Sequence, residues 1–185
     1  MVYRTMVYSF GAEGTLTAFA TSDGTQAWQR PLNKELNAEP NFFGTGPSPV
    51  VEGGIVIVSV GGTHKGVVLG IDKLTGKTVW TATEDGQSYS TPVVADIAGK
   101  RTAMVVTRNR ILALDPATGA LRFSIPFQSR TYESVNAASP VVSGDVPTVP
   151  DGVEAVAVCL LHSDLNPAHE RTVADELLRR GHDVS

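Results

Sequence analysis

The sequence runs to 185 residues, 42% of them hydrophobic, with a formal net charge of −4. That is enough apolar material for the core of one ordinary domain or two small ones, which excludes a chain disordered throughout. Lys and Arg are scattered, so no basic patch points to nucleic acid or an anionic membrane, and the single cysteine, Cys159, excludes an intrachain disulfide and a cysteine-rich zinc site.

The opening "MVYRTMVYSF" has neither the apolar stretch nor the small-residue cleavage site of a secretory signal. No apolar run approaches the roughly 20 residues of a membrane span. Next comes a phrase that recurs: "GTLTAFATSDGTQAWQ" from Gly14, "GVVLGIDKLTGKTVWT" from Gly66 and "RILALDPATGALRFS" from Arg110. Its glycines, Gly24, Gly76 and Gly119, stand 52 and 43 residues apart. A second phrase alternates with it, "SPVV" from Ser48, "TPVV" from Thr91 and "SPVV" from Ser139, with prolines 43 and 48 apart. Two independent markers recurring at such a period signal a repeat architecture.

The unit is built from strands. "GGIVIVSV", "KGVVLGID", "RTAMVVT" and "RILALD" are short, rich in β-branched residues and bounded by Gly, Asn and Asp. In "DKLTGKTVW" and "DPATGALRF", Asp72 and Asp115 end strands, and Gly76 and Gly119 stand where a short hairpin loop needs positive φ. Each proline of "PVV" falls at a strand's start, where its missing N–H breaks no ladder bond. Trp28, Trp80 and Phe123 hold the same place after each turn and are expected to anchor one repeat on the next. "GGTHKG" from Gly61 to Gly66 is read as a hairpin loop, since it lacks the phosphate-loop spelling. "RTYESVNAA" places Arg130, Glu133 and Asn136 in a polar loop, the expected contact surface.

About 45 residues carrying about four strands is the size of a β-propeller blade. The alternation of "GVVLGIDKLTGKTVW" with "TPVV" resembles the quinoprotein-type propeller repeat, shared by pyrroloquinoline quinone dehydrogenases and by a large non-catalytic group that includes outer-membrane assembly factors. Residues 8–145 are most similar to bacterial pyrroloquinoline-quinone-like repeat proteins, on "NFFGTGPSPVVEGGIVIVSVGG", "YSTPVVADIAGKRTAMVVTRNRILALDPATG" and "SVNAASPVV". The fold expected is mostly β, a partial propeller of about three blades. The chain enters partway through one blade and reaches the opening of a fourth at "SPVVSGD". Propellers of this type are often exported, which leaves the compartment open.

A different rule governs the end. After residue 145, "VPTVPDG" at 146–152 has a linker's composition. "VEAVAVCLL" then reads as a strand buried on both faces, with Cys159 an inert hydrophobe inside it. Asn166 as cap, Pro167 in first position and Gly181 at the end bracket a helix whose apolar face carries Val173, Ala174, Leu177 and Leu178. Residues 153–185 are thus expected to form a short βα unit. The stretch "GVEAVAVCLLHSDLNPAHERTVADELLRRG" resembles the N-terminal part of hydantoinase/oxoprolinase proteins, ATP-dependent enzymes that open cyclic amides, with Asp164 where the family commonly has an aromatic residue. His162, His169 and Glu170 are read as a strand-to-helix connection and a dipole-complementing first turn, since two histidines fall short of a zinc site.

Three functions are compatible with these residues. The leading expectation is a binding or scaffold module without chemistry of its own, needing a protein partner or further propeller blades, its ligand unspecified, and with no catalytic residue, metal site or cofactor assigned. A quinoprotein dehydrogenase fragment would bring pyrroloquinoline quinone and calcium, but adjacent cysteines and a calcium-ligand cluster are absent from the sequence. A hydantoinase or 5-oxoprolinase fragment rests on the tail alone. Because both resemblances start or stop mid-domain, a further reading compatible with the sequence is a chain that joins two incomplete coding regions.

Overall fold

Hairpin turns set the architecture. Gly24, Gly76 and Gly119 have φ of 72°, 71° and 72°, the left-handed conformation that a Cβ disfavours. In each of the last two turns an aspartate side chain fixes the backbone. Asp72 accepts the N–H groups of Leu74 and Thr75 at 3.1 and 2.8 Å. Asp115 accepts those of Ala117 and Thr118 at 2.9 and 3.1 Å. These are Asx-type turns, in which a short carboxylate satisfies the amides that the reversal leaves unpaired.

The computed structural model describes residues 5–39, 41–62, 64–127, 136–140, 142, 155–156 and 183–184. Its strands are β1 (Met6–Phe10), β2 (Thr15–Ala20), β3 (Gln26–Pro31), β4 (Val50–Glu52), β5 (Ile55–Gly61), β6 (Gly66–Asp72), β7 (Thr78–Ala82), β8 (Val93–Ile97), β9 (Lys100–Val106), β10 (Arg110–Leu114), β11 (Leu121–Pro126), β12 (Ala155–Val156) and β13 (Asp183–Val184). One short helix, α1 (Leu32–Glu35), follows β3. The expectation of a mostly β chain with about three blades holds. The sheet β4-β5-β6-β7 and the sheet β8-β9-β10-β11 are four-stranded meanders, and β1-β2-β3 is a three-stranded meander of the same kind among the described residues. Pro49 and Pro92 directly precede β4 and β8, as their missing N–H requires. Gly61 pairs with Gly66 and the Gly62 N–H donates to the Lys65 carbonyl at 2.9 Å, so this glycine-rich stretch is a hairpin loop.

The chain divides into two units. The first, Met1–Ala95 with Arg101–Pro140, contains the core. Leu16, Leu32, Val56, Val58, Val60, Leu69 and Ile71 form one buried cluster between the first and second sheets. Ile57, Val68, Trp80, Ala103, Val105, Leu112 and Leu114 form another between the second and third. Because side chains alternate along a strand, Val56 and Ile57 of β5 serve different clusters, and the second sheet is buried on both faces.

Each border is closed by an indole standing on the turn of the following sheet. Trp28 donates Nε1–H to the Lys73 carbonyl at 3.1 Å, and Trp80 donates to the Pro116 carbonyl at 3.2 Å. The anchoring expected of these tryptophans is therefore met. Phe123 differs. It is 43% exposed, because no further sheet stands beyond β11 among the described residues.

The second unit, Asp96–Lys100 with Val141–Ser185, includes β12 and β13, which pair in parallel. The linker at 146–152, Cys159, His162, His169, Glu170 and the helix bracketed by Asn166, Pro167 and Gly181 lie outside the described residues, as do Val173, Ala174, Leu177 and Leu178.

Candidate interaction surface

The loops that lead into the second and third sheets, and the residues preceding Pro140, carry a network of buried amides. Asn41 donates Nδ2–H to Gln87 Oε1 at 3.1 Å, and Gln87 donates in turn to the Ser59 carbonyl. Asn136 donates Nδ2–H towards the carbonyls of Thr107, Arg108 and Phe127 at 3.0, 3.2 and 3.3 Å, while its main-chain carbonyl accepts the Tyr89 N–H at 2.9 Å. Buried amides satisfied this fully hold their loops rigid. Asn136, expected on a contact surface, is instead a buried clip, 8% exposed, because its side chain turns inward to those three carbonyls. Arg130 and Glu133 lie outside the described residues.

The residue before each "PVV" proline links the repeats. The Ser48 N–H donates to Thr91 Oγ1 at 3.0 Å, and the Thr91 N–H donates to Ser139 Oγ at 3.1 Å. A hydroxyl at this position accepts from its counterpart one repeat earlier.

On this framework stands an aromatic pair that the sequence reading passed over. Phe42 is 91% and Phe43 78% exposed, their rings edge to face with centroids 4.7 Å apart. Tyr89 supports them from the neighbouring loop. Its hydroxyl accepts the Phe43 N–H at 3.0 Å, and its ring lies 6.1 Å from that of Phe43. A Cβ at Gly46 would fall 2.6 Å from Tyr89 Cδ1, so only glycine lets the tyrosine sit there. The available signal was "NFF" inside a Gly- and Pro-rich loop, where no strand alternation accounts for two adjacent rings.

Residues 2–159 match the sequence profile of the family described as outer membrane protein assembly factor BamB. The chain belongs to this family.

Among solved structures, BamB from Moraxella catarrhalis is 25% identical, over 65% of this chain and 32% of its own, with a TM-score of 0.46. The quinohemoprotein alcohol dehydrogenase from Comamonas testosteroni is 20% identical over 68% of this chain and 20% of its own, and the PilY1 C-terminal domain from Pseudomonas aeruginosa 21% over 71% and 32%, each with a TM-score of 0.51. The last two likenesses bear on fold, and the fold they share is that of the three meanders. The chain spans from 20% to 32% of the length of these three structures. No curated protein matches it.

Among the described residues no group of three His, Cys, Asp or Glu side chains is placed to hold a metal. No helix among them is long and apolar enough to cross a membrane. The perturbed carboxylates serve structure. The Arg101 guanidinium bonded to Glu52 lowers its pKa, the Thr75 hydroxyl does so for Asp72, and Arg122 for Asp115. Tyr8 is pushed up, first by burial and then by the charge of Asp72.

Proposed function

We propose that this chain is a non-catalytic binding scaffold that engages other proteins through the Phe42–Phe43 edge. The observation carrying this reading is the exposure of two adjacent phenylalanines on a backbone held by Asn41, Tyr89 and Gly46. Leaving a large apolar side chain in water forgoes about 1.5–3 kcal/mol that burial would return. Exposed aromatics on a rigid support are what protein interfaces use as anchors. The family's description as an assembly factor for outer membrane proteins supports polypeptide segments of such proteins as the bound class.

The test uses a fluorescently labelled, urea-unfolded outer-membrane β-barrel protein diluted into buffer with the full chain, and reads anisotropy. Binding is expected, weakened roughly tenfold in a Phe42→Ser, Phe43→Ser variant, in line with the loss of one anchor's worth of contact. An unchanged affinity in that variant, or no binding by the parent chain, would overturn the reading. So would a spectral shift on adding pyrroloquinoline quinone and calcium, which would favour the dehydrogenase alternative.

A further inference from the structure

The loop between β3 and β4 carries two large apolar side chains that its entry into the second sheet does not need. The loop into β8 makes the same entry on buried Gln87, Ser88 and Ser90, with Tyr89 as its one ring, and the residues from Asn136 to Pro140 carry none. Together Phe42, Phe43 and Tyr89 form a row of three rings, with centroids 4.7 and 6.1 Å apart. The row also holds a donor. The Tyr89 hydroxyl accepts the Phe43 N–H at 3.0 Å, which occupies one lone pair of the oxygen and leaves the O–H to point elsewhere. Among the described residues no group accepts that hydrogen. Accepting one bond makes the hydroxyl the better donor for a second. Tyr89 is also fixed in place, its N–H bonded to the Asn136 main-chain carbonyl at 2.9 Å and its ring set against Gly46, so the donor is aimed before anything binds.

We infer that Tyr89 is the polar half of the recognition edge: its hydroxyl donates to a main-chain carbonyl of the bound polypeptide while Phe42 and Phe43 take that segment's apolar side chains, so the edge selects an extended chain over a helix. This rests on the reading of Phe42 and Phe43 as an edge that binds polypeptide. Ring spacing does not make the choice. Side chains on one face stand about 6.6 Å apart along an extended strand, two residues at about 3.3 Å each, and about 5–6 Å apart on a helix. Either suits a row of this pitch. The hydroxyl decides, because a helix uses its carbonyls internally except in its last turn, whereas an extended segment outside a sheet has its carbonyls free. The bound class is thus an extended segment with apolar residues at alternate positions, the period that puts them on one face.

The test compares two fluorescently labelled peptides of about ten residues and identical composition, with apolar residues at alternate positions in one and at helical spacing in the other. Each is titrated with the full chain and read by anisotropy. The alternating peptide is expected to bind roughly two- to tenfold more tightly, the contribution of one hydrogen bond. Tyr89→Phe keeps the ring and is expected to erase that preference while leaving the helical-order peptide's affinity unchanged. It also removes the acceptor for the Phe43 N–H, so a second variant separates the two effects. O-methyltyrosine in place of Tyr89 keeps the ring and the acceptor oxygen but has no hydrogen to donate. It is expected to erase the preference as well, with the Phe43 amide exchanging at the parent's rate. Equal binding of the two peptides by the parent chain overturns the inference. A preference that persists with O-methyltyrosine overturns it too, since Tyr89 is then a positioning residue only. In either case, binding of the unfolded barrel protein that still depends on Phe42 and Phe43 leaves the edge standing without the hydroxyl's part, whereas loss of all binding by the parent chain removes both.

Discussion

Trp80 occupies the space that a side chain on Gly119 would need: a Cβ on the glycine would fall 2.5 Å from the indole Cε3. The same holds for Trp28 and Gly76 at 2.9 Å, but Gly24, with the same φ, has nothing above it. Gly119→Ala is therefore expected to cost about 2–5 kcal/mol, from backbone strain plus a displaced ring. Gly24→Ala should cost only the strain, about 1–2 kcal/mol. Urea midpoints measure both, and equal losses would remove the ring from the account.

The Lys73 carbonyl accepts two donors, Trp28 Nε1–H and the Tyr8 hydroxyl at 2.9 Å, whereas a single side-chain donor, Trp80, is found at Pro116. Trp28→Phe should then cost less than about 1 kcal/mol, because Tyr8 still satisfies the acceptor. Trp80→Phe leaves a buried carbonyl without its indole partner and should cost about 1–3 kcal/mol. Combining Trp28→Phe with Tyr8→Phe should exceed the sum of the single losses by about 1 kcal/mol, read from a double-mutant cycle.

Thr91 is both acceptor and donor in the chain of contacts from Ser48 to Ser139. Thr91→Val keeps the shape but removes the hydroxyl. Faster exchange of the Ser48 amide is expected, corresponding to about 0.5–1.5 kcal/mol of local stability, with Thr91→Ser close to the parent. Hydrogen exchange resolved at that amide checks it.

Acid should weaken the first unit through Glu52, Asp72 and Asp115. Each has a folded-state pKa below its ordinary value, which is 4.5 for the glutamate and 3.8 for the aspartates. Their contribution is thus complete above those values and is lost as pH falls through the lower folded ones. Asp72→Asn and Asp115→Asn should each cost well under about 1 kcal/mol at neutral pH, since these groups face solvent. The difference from the parent should vanish on acidification. Thermal melts from pH 7 downward test this, and a gap that widens with acid would contradict it.

The repeat was legible because its markers are local. A glycine at positive φ and a proline at a strand's start are demands of the backbone, and Gly76, Gly119, Pro49 and Pro92 meet them where the period put them. The anchoring role of Trp28 and Trp80 followed from size and position. What stayed hidden is what the partner decides. The hydroxyl before each proline was visible as a marker, but its acceptor role appears only when Ser48 and Thr91, 43 residues apart, come together. Asn136 looked like a surface residue because polarity alone does not reveal three inward carbonyls. Phe42 and Phe43 went unnoticed for the converse reason, since aromatic character does not reveal exposure.

The indole of Trp80 meets the following sheet through a glycine and a peptide carbonyl, and Trp28 does likewise. Both are features of the main chain that any turn of this shape presents, whatever its other side chains. The joint is therefore indifferent to most of what a neighbouring repeat says in sequence. Units of this kind can be duplicated, drift apart or be spliced beside strangers and still dock, provided one glycine and one ring survive. Such a joint makes the blade a portable part, and new assemblies can arise by moving blades rather than by redesigning their borders.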